Sequence, residues 1–419
     1  MPMPVRHLPM VQNWDCHGCA HCCRDYRVPV TEEERQRILA QGWDKDPDLG
    51  DLPVIMVSGP WWRRRYRLSE RGNGNCVFLD ENQRCRIHAR FGAEAKPLAC
   101  RMFPFVLVPT DTHWRVGLRF ACPSVAGNKG GPFRQHEAEV TRYAGLLEKE
   151  QRFDVAQLSK PELQTGQILE WSDLARITKA LEYLLHDRRD RLERRLRKWL
   201  ALANLCRQAR FEKVKGERLT EFFDLLMLSL DAEVPVDPGD LEPPSWIGRL
   251  LLRQSLLIYL RKDHGPERGE ALRSRLSLFH AAWRFAKGTG AVPRLNQLLP
   301  DTTFDQVEQP VGPLSEAVEE ILERYYTVKL ASLQFQGPTN FGMTFWDGLE
   351  SLVLTLPLLL WVTRALREGP REEAVVSALR MIDDHFGYNP LLGSRRQRLA
   401  LRILASRGEL SRLVAWYSR

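Results

Sequence analysis

The hydrophobic pattern of the chain changes near residue 130. Beyond it, apolar residues recur every three or four positions, the spacing that gives a helix one apolar face. Trp171-Ser172-Asp173 opens such a helix, with Leu174, Ile177, Leu181 and Leu184 on one face. An Arg-rich stretch, 186–198, reads as its charged continuation. Further helices are expected over 219–230, 247–260, 268–287, 314–333, 345–366, 372–386 and 396–418. Residues 234–244 hold four prolines and should separate two helical blocks. Residues 289–313 read as a long non-helical connection.

Before residue 130 the pattern is shorter and alternating. Thr31 followed by Glu34 is a capping box, opening a helix that Gly42 should end. Residues 62–68 alternate as a strand does, with Arg63, Arg65 and Arg67 on one face. Cys76-Val77-Phe78-Leu79 and Cys85-Arg86-Ile87-His88 flank a turn and predict a hairpin that brings Cys76 and Cys85 together. Residues 105–108 and 113–120 predict another hairpin, delivering Cys122. In it Trp114, Val116, Leu118 and Phe120 alternate with Arg115, Gly117 and Arg119. Residues 127–132 are glycine-rich and read as a linker. The expected fold is mainly α. It has a small cysteine-rich module with short β-hairpins at 1–126, then a large helical region divided into 133–233 and 246–419.

The cysteines give the first module its chemistry. Cys16, Cys19, Cys22 and Cys23 fall within eight residues, and Cys76, Cys85, Cys100 and Cys122 follow. Cys206 lies apart on an apolar helix and reads as a core residue. The N-terminal stretch has no apolar core of the kind a secretory leader carries, so a reducing cytoplasm and metal-bound thiolates are expected rather than disulfides. Soft thiolates select zinc or an iron–sulfur cluster. The Cys16-x-x-Cys19-x-x-Cys22 triple with a Cys122-Pro123 partner favours a cluster, of the 4Fe–4S type, and predicts that these four share one centre. Zinc remains the alternative. His17 and His21 flank the thiols and read as neighbours rather than ligands. His88 reads as structural. Arg24 and Arg101 each follow a cysteine, where a guanidinium would stabilise a thiolate.

Charge narrows the partners. The net +8 divides evenly, four in residues 1–125 and four beyond, with no concentrated basic patch. Nucleic acid is therefore not expected. Trp61-Trp62-Arg63-Arg64-Arg65 mixes aromatics and cations, but a strand with one wet face explains it. The apolar run 351–363 is shorter than the roughly 20 residues a bilayer needs, so no membrane span is expected.

The thiol motifs resemble a known family. Cys16-x-x-Cys19-x-x-Cys22-Cys23, Cys76-Val77-Phe78-Leu79, Cys85-x-Ile87-His88, Pro97-x-x-Cys100-Arg101-x-Phe103-Pro104 and Cys122 are similar to the CxxCxxCC, YkgJ-like cysteine-cluster family, which is associated with zinc or iron chelation. The resemblance covers about the first 125 residues and gives all eight cysteines a place as metal ligands. His88 stands where the family often has Tyr. The same module occurs in flagellin lysine N-methylases. A fainter similarity to their C-terminal part covers Tyr325-Tyr326, the loop 335–345 and the apolar helix after Asp347. This resemblance implies methyl transfer from S-adenosylmethionine to lysines of a protein such as flagellin, with an iron–sulfur cluster. No glycine-rich nucleotide turn between a strand and a helix supports it independently. A non-enzymatic zinc-stabilised interaction module and a metal carrier remain as alternatives.

Overall fold

The computed structural model describes residues 3–150, 158–209, 211, 214–265, 267–367 and 369–419. Among these the fold is mainly α: 17 α-helices and only small sheets of two or three strands. Part of the expected 133–233 block, residues 151–157, lies outside the described residues.

Two cores organise the molecule. The small one gathers Val30, Ile38, Trp43, Leu68, Val77, Phe78 and Ile87. The capping box forms as expected: Thr31 Oγ1 accepts from Glu34 N–H, and the Glu34 carboxylate returns to Thr31 N–H at 2.9 Å. The resulting Glu32–Leu39 helix buries Ile38 in this core. A sheet of Pro29–Val30, Arg65–Leu68 and Ile55–Ser58 closes it. The strand expected over 62–68 is therefore shorter. Trp61–Arg63 is a 3-10 turn, because Pro60 presets its first residues, and it leaves Trp61 and Trp62 largely exposed.

The expected hairpin at 76–88 does not form. Cys76 and Leu79 make isolated bridges with Glu70 and Cys85, and Arg86–Phe91 is a helix. Phe78 and Ile87 fill one core from opposite sides, and a single helical turn buries Ile87 completely. Tertiary packing here overrides the local strand pattern.

The large core runs through helices from both ends of the chain. The hairpin Phe105–Pro109 and Trp114–Leu118 forms in the expected register, Phe105 opposite Leu118. Val5–Arg6 adds a parallel edge strand. All five residues of the second strand are buried, Arg115 and Gly117 included. The Glu316–Ser332 helix covers that face. Arg115 donates to the Ala331 carbonyl at 2.7 Å, and a Cβ at Gly117 would collide with Gln334 and Ser332. Residues 127–132 do not hang free between regions. They pair with residues 13–15 through Trp14 N–H to Gly131 O (2.9 Å) and Gly131 N–H to Asp15 Oδ2 (2.6 Å).

The helical periodicity is realised with breaks. Trp171–His186 ends at Asp187, and Leu192–Gln208 is a separate helix. The second half of the Arg-rich run, 192–198, is buried, and carboxylates converge on it, while Arg188, Arg189 and Arg191 stay exposed. Arg195 meets Glu323 at 2.8 Å, Arg197 meets Glu193 at 2.6 Å and Lys198 meets Asp190 at 2.5 Å. Helices follow at Glu217–Glu233, Trp246–Tyr259, Arg275–Lys287, Glu316–Ser332, Phe345–Ala365 and Arg371–His385. Residues 268–274 are not part of the third of these. The last expected helix divides at Gly408 into Arg395–Ser406 and Glu409–Tyr417. The connection 289–313 contains the short helix Phe304–Glu308. Phe345–Ala365 has 21 residues, longer than the apolar run that marks it. It is long and apolar enough to cross a membrane, yet it is wholly buried inside the protein.

Candidate metal centre

Cys22 and Cys23 lie on the short helix His21–Asp25. Cys76 begins the loop that carries Phe78, and its amide donates to the Cys23 carbonyl at 2.7 Å. Cys85 caps the Arg86–Phe91 helix. Cys100 sits in the turn Leu98–Met102. These five thiols line one cavity of about 590 Å³ together with Lys96. Cys23, Cys76, Cys85 and Cys100 also pack against the small core.

The thiols perturb one another. Contact with Cys23, then burial, pushes Cys22 far up. Burial, with Cys85 and Cys22 adding, pushes Cys76 up to about 12. Burial likewise raises Cys100, and Lys96 opposes it. Burial works against the Lys96 ammonium, but Cys100, Cys85, Cys22 and Cys23 hold its pKa above the ordinary value. In the metal-free chain Cys22, Cys76 and Cys100 stay protonated, so a metal must displace their protons. Five sulfur donors with one counter-charge fit a soft or borderline metal such as zinc or iron.

The other three cysteines lie elsewhere. Cys122 caps the short helix Pro123–Ala126 and is buried. Its nearest thiol influence is Cys19, while burial raises it. Cys16 and Cys19 are exposed. His17 holds their loop against this helix, contacting Ser124 Oγ at 3.0 Å. Of the expected group of Cys16, Cys19, Cys22 and Cys122, Cys22 is the one that lines this cavity. Ala20 adopts a left-handed backbone (φ 56°) between Cys19, which is exposed, and Cys22, which lines the cavity. Cys206 is fully buried in the large core, far along the sequence from either group.

The cavity continues past the thiols along Val28, Leu98, Met102, Phe103 and Phe105 to Tyr26, Arg119 and Tyr388. The Arg119 guanidinium stacks on Tyr388 at 3.6 Å and Tyr26 at 4.7 Å. Its Nη2 donates to the Asp384 carbonyl at 3.1 Å, and Lys262 holds the Asp384 carboxylate at 2.7 Å. Asp383 accepts from the amides of Phe120 (2.5 Å) and Ala121 (3.2 Å) and pairs with Lys329 at 2.6 Å. The end of the Arg371–His385 helix thus fixes the strand that leads to Cys122. Sequence reasoning did not find Lys96, Arg119 or Tyr388. Arg119 alternates with apolar residues and resembles a solvated position until the C-terminal region covers it.

Residues 15–123 match the model of the CxxCxxCC family, described as a "putative zinc- or iron-chelating domain". This part of the chain is a CxxCxxCC domain. Over 129 residues, 29% of the chain, it is 27% identical to the flagellar biosynthetic protein FliU of Salmonella muenchen and covers 73% of that protein. Over 127 residues it is 26% identical to a lysine-N-methylase of Salmonella choleraesuis, covering 31% of it. Over 94 residues it is 31% identical to an uncharacterized protein of Methanocaldococcus jannaschii, covering 29% of it. The chain thus spans less than a third of the last two proteins. No solved structure matches significantly. The wall that Tyr388 adds to the cavity lies outside the CxxCxxCC domain.

Proposed function

We propose that the chain is a metal-dependent methylase acting on lysines of a protein such as flagellin, with S-adenosylmethionine as methyl donor. One observation carries this reading. The five-thiol set lines a cavity large enough for a small-molecule cofactor, and Leu147 and Tyr388, beyond the CxxCxxCC domain, line it too. The names of two relatives, a lysine-N-methylase and a flagellar biosynthetic protein, supply the reaction and substrate class.

In this reading Cys22, Cys23, Cys76, Cys85 and Cys100 provide the ligands of one centre, an iron–sulfur cluster of the 4Fe–4S type in preference to zinc. Cys16, Cys19 and Cys122 hold a second centre. A 4Fe–4S cluster held by three of the five cavity thiolates would supply an iron to anchor a polar group of the cofactor, with two thiols left over. The protein's own side chains do the rest. Lys96 offsets thiolate charge. Phe103, Phe105 and Leu98 keep water from the cavity. Arg119, held by Tyr26, Tyr388 and Asp384, presents a fixed positive group to an anionic part of a ligand. This reading goes with a reducing cytoplasm, where thiols stay available as ligands.

The test is calorimetry with S-adenosylmethionine on anaerobically reconstituted protein, followed by mass spectrometry of flagellin incubated with both. Saturable binding and added methyl mass on lysine are expected. Absence of cofactor binding to fully metallated protein overturns the methylase. Iron and acid-labile sulfide analysis decides the metal. A second reading, a zinc-stabilised interaction module, draws on the packing of four of these thiols against the small core. Zinc without sulfide, and no cofactor binding, would select it.

A further inference from the structure

A second cluster of ligating groups lies beside the thiols and uses none of them. His21 and Asp25 stand one helical turn apart on the helix His21–Asp25, and Glu267 approaches from the C-terminal region. One ligand atom from each lies within 4.8 Å of the other two. Asp25 is only 2% exposed. His21 Nδ1 is 2.7 Å from Asp25 Oδ2, but neither Asp25 oxygen accepts a hydrogen bond. A carboxylate this buried, with ion-pair contacts to His21 and Lys262 but no well-aligned hydrogen bond, is a candidate ligand for an ion. Glu267 is raised by burial first and then by the Asp25 charge, so the two carboxylates oppose each other.

We propose that His21, Asp25 and Glu267 form a site for a divalent transition-metal ion, separate from the thiols. One imidazole and two carboxylates suit zinc, manganese or ferrous iron. The backbone is shaped for the approach. His264 Nε2 contacts the Asp25 carbonyl at 2.9 Å. A Cβ at Gly265 would press on the Arg24 carbonyl and on Asp25 Oδ1, and one at Gly74 would strike Gly265. The neighbouring cations leave room. Lys262 stays 3.9 Å from Asp25 because Asp384 holds it at 2.7 Å. Arg380 Nη2 lies 3.3 Å from His21 Nδ1 and competes directly, so it must turn away when the ion enters. The bound ion would tie the helix bearing Cys22 and Cys23 to a segment outside the CxxCxxCC domain. This proposal does not depend on methyl transfer.

Manganese is the probe, because thiolates disfavour it. The full chain, with its thiol metal loaded, is titrated with Mn²⁺ while electron paramagnetic resonance counts the free ion. One saturable equivalent is expected. Asp25→Asn and Glu267→Gln should each weaken it tenfold or more, and Arg380→Gln should tighten it. Thiol-bound metal, measured by elemental analysis, should be the same in all four proteins. If the site is filled on purification, Glu267→Gln should lose that extra equivalent instead. Glu267→Gln keeps the side-chain shape, so it decides the matter if Asp25→Asn does not fold. No saturable Mn²⁺ binding with no extra metal on purification, or an equivalent that survives Glu267→Gln unchanged, overturns the proposal.

Discussion

The two cores are built on different physical terms. The large one is continuous apolar packing, with Phe345–Ala365 buried along its whole length and Trp199, Tyr325, Tyr326 and Trp361 fully enclosed. Many of its buried charges are paired. The small one has about ten buried residues and takes in four thiols, of which burial raises Cys76 and Cys100. The first can cohere by itself. The second is completed by whatever binds the sulfurs.

Removing the metal is the strongest way to separate them. Structural metal binding contributes about 10–16 kcal/mol of folding free energy in small domains. A chelator should therefore strip hydrogen-exchange protection from Val77, Phe78 and Ile87 while Leu352 and Leu356 keep theirs. Equal protection in both cores after chelation would show that the small core needs no metal.

The next effect belongs to the large core. Lys329→Met leaves Asp383 buried without its partner, which costs about 3–5 kcal/mol. Urea unfolding of the helical region should show this loss with or without metal. A loss that appears only in metallated protein would mean the cores are coupled more tightly than their packing suggests.

Glu350 gives the comparison a pH axis. Burial raises its carboxyl to about 7, despite the opposing Arg207. Between the unfolded carboxyl value and about pH 7 the folded state holds more proton than the unfolded one. Its contribution to stability therefore falls as pH rises through that window. Glu350→Gln should flatten this part of the stability–pH curve of the helical region. An unchanged slope would mean Glu350 stays ionised throughout.

Thr31→Ala is the smallest of these. Loss of the capping box costs about 1 kcal/mol, confined to the small core. Thermal melting of metallated protein should show it. A shift of several kcal/mol would mean that the Glu32–Leu39 helix supports the thiol set more directly than its cap does.

What could be read from sequence follows the same division. The capping box, the 105–118 hairpin and most helices rest on local spacing, and they form. The 76–88 hairpin fails because Phe78 and Ile87 answer to a shared core, not to each other across a turn. The Arg-rich stretch reads as a continuation of the preceding helix, and the burial of its second half is not visible because partners such as Glu323 and Asp231 are remote in sequence. The eight cysteines were visible as a set. That five of them line one cavity was not, since it depends on the chain's path past Ala20, where alanine gives no hint of a left-handed residue.

That turn at Ala20 also sorts the thiols by chemical vulnerability. It leaves Cys16 and Cys19 facing solvent, while Cys22 is directed inward. An electrophile or peroxide meeting the metal-free chain reaches the first two before the cavity set, because attack follows exposure and thiolate character. Brief iodoacetamide treatment and peptide mass spectrometry should find the label on Cys16 and Cys19 well ahead of Cys76 and Cys100; simultaneous labelling would show that the cavity opens when empty. Three residues of spacing thus separate a sacrificial surface from a guarded interior.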